Sequence, residues 1–211
     1  MRNPSPEQVI PPTPTVPNIP KTGDVVYPVA ANFATWFNQS TATLVDHTEA
    51  IVLTKPSHGS TAQCSAVAQL TPAAPWVLES KVIAAPPFIK NFMWSGIMVG
   101  DTATGSMITM SNGYNNLIRI ASWTNGTTYG ATLSETTGTT IGWWEWWKIE
   151  DDGVDLIFSV SREGLEWLEI YSQARTTFLA NPDSVGPAVQ PTNQGSPTYK
   201  SWATVQSWNL A

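Results

Sequence analysis

Tryptophan is the residue type in this sequence with most capacity for specific chemistry. Eleven of the 211 residues are Trp, and four of them fall in Trp143-Trp144-Glu145-Trp146-Trp147. An indole can fill a core or offer a flat face on which a sugar ring stacks. If the run is a strand, its period of two puts Trp143, Trp147 and Ile149 on one face. Trp144, Trp146 and Lys148 then take the other. The nearby carboxylates suggest no hydrolytic pair. Glu145 and Glu150 are five apart, which a regular strand sends to opposite faces, and Glu166 and Glu169 oppose each other likewise. Glu163 sits in a turn with Glu166 just beyond it. Glycoside hydrolysis needs two carboxyl groups flanking one bond, so no catalytic residue is assigned. His47 and His58 are the only histidines, without the spacing of a zinc site or a nucleophile elbow to serve. Asp101, Asp151 and Asp152 lie in separate turns rather than in a calcium loop. No metal or cofactor is expected. The single cysteine, Cys64, reads as a small buried hydrophobe.

These residues sit in short apolar segments divided by turn clusters, the pattern of an all-β protein. WVLESKVIA (76–84) alternates, whereas FMWSGIMVG (92–100) is nearly all apolar, as for a strand covered on both sides. SMITMSN (106–112) and NLIRIASW (116–123) follow, with Asn112-Gly113 read as the turn between them. Asn125-Gly126 opens another turn. WWEWWKIED (143–151) leads through Asp152-Gly153 into VDLIFSVS (154–161), then come LEWLEIYSQ (165–173) and SWATVQSWNL (201–210). Helical periodicity is weak, its best candidate a short turn around 174–180.

Composition narrows the function classes. Charged residues are 12% of the chain, against roughly 25% in an average domain, so the polar surface is built from Ser, Thr, Asn and Gln. The net charge is −6 with ten scattered basic residues, which argues against nucleic acid as a partner. No apolar run is long enough for membrane insertion, and the opening MRNPSPEQVIPPTPTVP lacks the apolar stretch of a signal peptide. Eight of the seventeen prolines fall within residues 1–28. Each fixes φ and removes an amide donor, so this segment is expected to be an extended arm ahead of a domain at 29–211. Pro11, Pro12, Pro14, Pro17 and Pro20 are its candidate assembly contacts.

From residue 76 onward the order of features resembles the concanavalin A-like lectin/glucanase superfamily, especially its laminin-G-like and glycan-binding branches. The resembling pieces are Gly-Ile-Met-Val-Gly-Asp (96–101), the strand pair carrying Asn115 to Ile120, and Trp-Trp-Lys-Ile-Glu-Asp-Asp-Gly (146–153). They continue with Ser161-x-Glu163-Gly164-x-x-Trp167, then Val185-Gly186 and a closing strand with Trp202 and Trp208. The resemblance implies a two-sheet antiparallel β-sandwich, the concanavalin A-like jelly roll. In it Trp147 and Ile149 would point between the sheets. Trp144 and Trp146, on the opposite face, would stack on sugars or pack under a covering loop or neighbouring subunit. Tyr114, Asn115, Asn116, Arg119 and Trp123 are the expected polar and aromatic partners in the same groove. By analogy with such modules on phage particles, the expected role is a non-enzymatic bacteriophage virion protein. It would be a capsid- or tail-attached decoration on the outer surface, tethered to other virion proteins by its arm, homo-oligomeric (a trimer), and able to bind host surface glycans. A free carbohydrate-binding lectin is the alternative, and a glycoside hydrolase the third reading.

Overall fold

The computed structural model describes residues 25–56, 63–84, 93–113, 117–137, 144–191 and 200–211. The proline-rich arm, with Pro11, Pro12, Pro14, Pro17 and Pro20, lies outside the described residues. The described chain is all-β, two antiparallel sheets of seven strands each, as the sequence pattern implied. Among the described residues the one helical element is a 3-10 turn at Ala30–Asn32. The strands are β1 (Thr35–Phe37), β2 (Thr43–His47), β3 (Ala50–Pro56), β4 (Ser65–Leu70), β5 (Trp76–Ala84), β6 (Trp94–Asp101) and β7 (Ser106–Gly113). They continue with β8 (Leu117–Asn125), β9 (Thr128–Thr137), β10 (Trp146–Asp151), β11 (Asp155–Ser161), β12 (Leu168–Ala174), β13 (Ser184–Gln190) and β14 (Lys200–Leu210). Sheet A runs β1-β4-β13-β6-β7-β8-β9 and sheet B runs β12-β11-β10-β5-β14-β3-β2.

The layers follow from period-two patterning. In β5, Trp76, Leu78, Ser80 and Val82 are buried while Val77, Glu79 and Lys81 are only partly so. In β10, Trp147, Ile149 and Asp151 are buried between Trp146, Lys148 and Glu150. These inward residues meet Ile97, Val99, Ile108, Met110, Ile118 and Ile120 of sheet A in one core. Each large side chain so removed from water contributes about 1.5–3 kcal/mol. Sheet A differs from sheet B in having a second buried cluster, made of Phe37, Cys64, Ala66, Ala68, Met98, Met107, Trp123 and Ala188. Accordingly β6 and β13 are buried at every position. The chain entering the sandwich is pinned at an irregularity in β14 between Val205 and Ser207. There the Val26 amide donates to Ser207 Oγ at 3.2 Å, the Trp208 amide donates to the Val26 carbonyl, and Phe33 meets Trp208 edge-on.

One sequence expectation about turns needs revision. Asn112-Gly113 is not the turn: both residues lie in β7, paired with Ser95 and Trp94. Gly113 is there because any Cβ would lie 2.3 Å from the Met93 carbonyl and 2.6 Å from the Trp94 ring. Beyond Ala174, the last residue of β12, the chain turns at 175–178, in line with the short turn expected around 174–180. In the 161–167 hairpin the Gly164 amide donates to Ser161 Oγ at 2.8 Å. Asn125-Gly126 and Asp152-Gly153 do turn the chain; Gly153 has φ +93, a region only glycine enters freely.

Candidate functional site

The predicted groove divides between two opposite faces of the sandwich. β8 belongs to sheet A and β10 to sheet B, so Arg119 and Trp123 cannot share a groove with Trp144 and Trp146. Tyr114, Asn115 and Asn116 lie outside the described residues.

Trp123 is on the outer face of sheet A, yet it is fully buried. Its Nε1 donates to Thr109 Oγ1 at 3.2 Å, and the Tyr129 ring meets it edge-on at 5.2 Å. Arg119, beside it on the same face, is 6% exposed. Its guanidinium carbon lies 3.8 Å from the centre of the Trp94 ring, and Nη2 donates to Gln190 Oε1 at 2.6 Å. Its Nε is buried without a hydrogen-bond partner. Burial lowers the Arg119 pKa, an effect partly offset by Tyr129 and by Glu135, its register partner on β9. The space left among Cys64, Trp94, Thr109, Ser111, Trp123 and Gln190 is about 10 Å³, the size of one water and far below a sugar ring. Arg119 and Trp123 are therefore packing residues, contrary to the sequence expectation. Period two reports which sheet face a residue occupies and is silent on whether a further layer covers that face.

The outer face of sheet B is open. Trp146 is half-buried there, and Trp144, two residues ahead of β10, is half-buried too and packs against the core between the sheets. Trp146 is covered by its own chain: the 161–167 turn places Gly164, with φ +78, so that a Cβ would come 2.9 Å from the indole. It supports the turn and does not present a free platform. The neighbouring surface is a shallow cleft of about 270 Å³ lined by Trp144, Arg162, Glu163, Glu166, Trp167 and Leu168. Trp144 is fixed from below, since the Trp147 indole donates to its carbonyl at 3.1 Å. The Arg162 guanidinium carbon lies 5.7 Å from the Trp144 ring centre and Lys148 Nζ lies 5.4 Å from that of Trp167. Lys148 also pairs with Glu150 at 3.4 Å, and Lys81 with Glu145 at 3.3 Å. Glu145 and Glu150 thus reach toward the same face after all, because β10 begins only at Trp146 and strand parity does not extend back to Glu145. Glu79, the register partner of Lys148, has its carboxyl pKa raised by burial, with Lys148 lowering it and Glu150 raising it. Trp167 is a lining residue that the sequence reading quoted only as part of a hairpin motif. The signal was available: a hairpin turn directly after the partner strand of β10 must fold beside the tryptophan run.

A second cleft, about 330 Å³, opens at one end of the sandwich between Thr35, Trp36, Asn38, Thr102, Asn125 and Thr127. The aspartates weighed for calcium are engaged by the protein itself. Asp101 accepts the amides of Ala103, Thr104 and Asn181; Asp151 binds Arg175 and the Gly153 amide; Asp152 accepts from Val154 and Asp155. Those amides hold the Asp152 pKa below the usual carboxylate value.

Comparison with solved structures finds the same β-sandwich architecture in proteins of several kinds. A functionally unknown protein from Saccharomyces cerevisiae superposes with a TM-score of 0.59 at 13% identity, over 86% of this chain and 96% of that one. The lumenal domain of VIP36, in its Ca2+/Man3GlcNAc-bound form, gives 0.53 at 10% identity over 89% and 86%. The CBM2 module of the evolved Dit of Lactobacillus casei BL23 phage J-1 gives 0.51 at 10% identity over 80% and 78%. GH43 enzymes, among them BlXynB of Bacillus licheniformis (TM-score 0.58, 13% identity, 83% of this chain), also align, but the chain spans only 36% of that protein's length. At such identities the likeness is one of fold: a lectin/glucanase-type β-sandwich. No protein-family model matches the sequence, and no curated protein matches it either.

Proposed function

We propose that this chain is a non-catalytic carbohydrate-binding module whose sugar-stacking surface is the cleft between Trp144 and Trp167. The observation that carries this reading is the pairing of two half-buried indoles in one open cleft, rimmed by Arg162 and two exposed carboxylates. A pyranose offers one apolar face to stack and a rim of hydroxyls to hydrogen-bond, which is what such a lining complements. Glu163 and Glu166 share the cleft, which keeps hydrolysis as the reading to test. Both are solvent-exposed, however, whereas a glycosidase acid works in a drier setting.

In the same proposal, the proline-rich arm tethers the module to other proteins of a bacteriophage virion, as an oligomeric capsid or tail decoration that meets host glycans. Support comes from the charge-poor, Ser/Thr/Asn-rich composition, from the eight prolines within residues 1–28, and from the fold shared with a phage Dit module. The first test is a glycan array with the full chain, repeated with Trp144→Ala and Trp167→Ala. Binding that falls at least about tenfold, or 1.4 kcal/mol, in both variants supports the site. Unchanged binding, or release of reducing sugar that Glu163→Gln abolishes, overturns it. Light scattering of the full chain tests the assembly half, with a trimer as the expected result and a monomer against it.

A further inference from the structure

The charge distribution around the cleft restricts what kind of saccharide it accepts. From Arg162 to Glu169 the chain carries one cation and three carboxylates, Glu163, Glu166 and Glu169. The lysines on the adjoining strands add little available positive charge, because Lys81 is paired with Glu145 and Lys148 with Glu150. Exposed ionised carboxylates only accept hydrogen bonds, so a ligand here has to bring donors. The rings add no preference for a cation, because Arg162 already lies by Trp144 and Lys148 by Trp167; the carboxylates are the groups left to select the ligand. Anionic sugars bring acceptors and like charge. A protonated amine brings three donors and an opposite charge.

We infer that the preferred ligand is an amine-bearing saccharide, a polymer of de-N-acetylated amino sugar, and that Glu163 and Glu166 select it over neutral and acidic glycans. This rests on the reading above that the cleft binds sugar.

The test is calorimetry of the full chain at mildly acid pH and low salt with three probes: glucosamine hexamer, N-acetylglucosamine hexamer and polygalacturonate. The glucosamine hexamer should bind about fivefold or more tightly than its acetylated counterpart, and polygalacturonate should not bind. Glu163→Gln/Glu166→Gln should abolish the preference for the glucosamine hexamer. The double variant Asp46→Asn/Glu49→Gln removes two charges from the far edge of the same sheet, so it controls for net charge and should keep the preference. Equal affinities for the two hexamers, binding of polygalacturonate, or equal loss in both double variants overturns the selectivity while leaving a sugar-binding cleft. Absence of binding to all three probes overturns the cleft and the selectivity together.

Discussion

The outer faces of the two sheets are built from similar residues and have opposite fates. Sheet A carries Trp94, Arg119 and Trp123, with the cation 3.8 Å from an indole centre and Trp123 fully buried. Sheet B and its adjoining turn carry Trp144, Trp167, Arg162 and Lys148, with cations near the indoles and the tryptophans only half-buried. What separates them is coverage. On sheet A, Phe37 from the edge strand and Cys64 ahead of β4 join Met98 and Met107 in a second apolar cluster, leaving about one water's volume. On sheet B the hairpin turn covers Trp146 and stops short of Trp144, which leaves a cleft. A tryptophan beside an arginine is therefore no mark of a binding site until its exposure is known.

The largest effect that would break this comparison is at Trp123. Trp123→Ala should cost about 3–5 kcal/mol in denaturant unfolding, while Trp167→Ala should cost about 1 kcal/mol or less and act on binding instead. Similar costs at both sites would mean the two faces are equally covered.

Lys55 sharpens the contrast from within the core, where its amine is fully buried without a hydrogen-bond partner. Lys55→Met should stabilise the protein by roughly 1–3 kcal/mol, since a buried unsatisfied group costs about that much. Its pH dependence has a defined sign. Burial lowers the folded amine's pKa below 10.5, so over that interval the unfolded chain binds more protons and stability rises with pH. Cys64 works in the opposite sense, because burial pushes its thiol from 9.0 up to about 12. Its contribution is complete below pH 9 and lost above it, at about 1.4 kcal/mol per pH unit. Just below pH 10.5 the two slopes oppose each other. Lys55→Met should expose the thiol's alkaline decline, and adding Cys64→Ala should remove it, both read from unfolding midpoints against pH.

A smaller effect is expected at Gly164, where Ala would take a positive φ and press on Trp146. Gly164→Ala should cost about 1–2 kcal/mol and weaken glycan binding by displacing the turn. The smallest is at the partly exposed Lys81–Glu145 pair, where Lys81→Met should change stability by less than about 1 kcal/mol.

Much of the sandwich was legible because its strands from 76 onward alternate or run apolar between turn residues. The inward placement of Trp147 and Ile149 came directly from period two. β1 to β4, β9 and β13 were not delineated: β1 to β4 are short, interrupted and rich in Thr and Ala, β9 is rich in Thr, and β13 carries Gly186 and Pro187 at its centre. Of the residues expected in one groove, Trp144 lines the sheet B cleft, whereas Arg119 and Trp123 are buried on sheet A; the uninterrupted apolar run of β6 already indicated that sheet A is covered on both faces. A hairpin beside such a strand shares its cover. Trp167, which lines the cleft, was not singled out, although its hairpin turn directly follows the partner strand of β10 and so lies beside the tryptophan run.

The most direct test is an NMR titration of the eleven indole N–H signals with glucosamine and N-acetylglucosamine hexamers. Saturable shifts confined to Trp144 and Trp167, with Trp94 and Trp123 unmoved, are the expected result. Shifts at Trp94 and Trp123 with the sheet B signals silent would put the ligand on the wrong face and contradict the account.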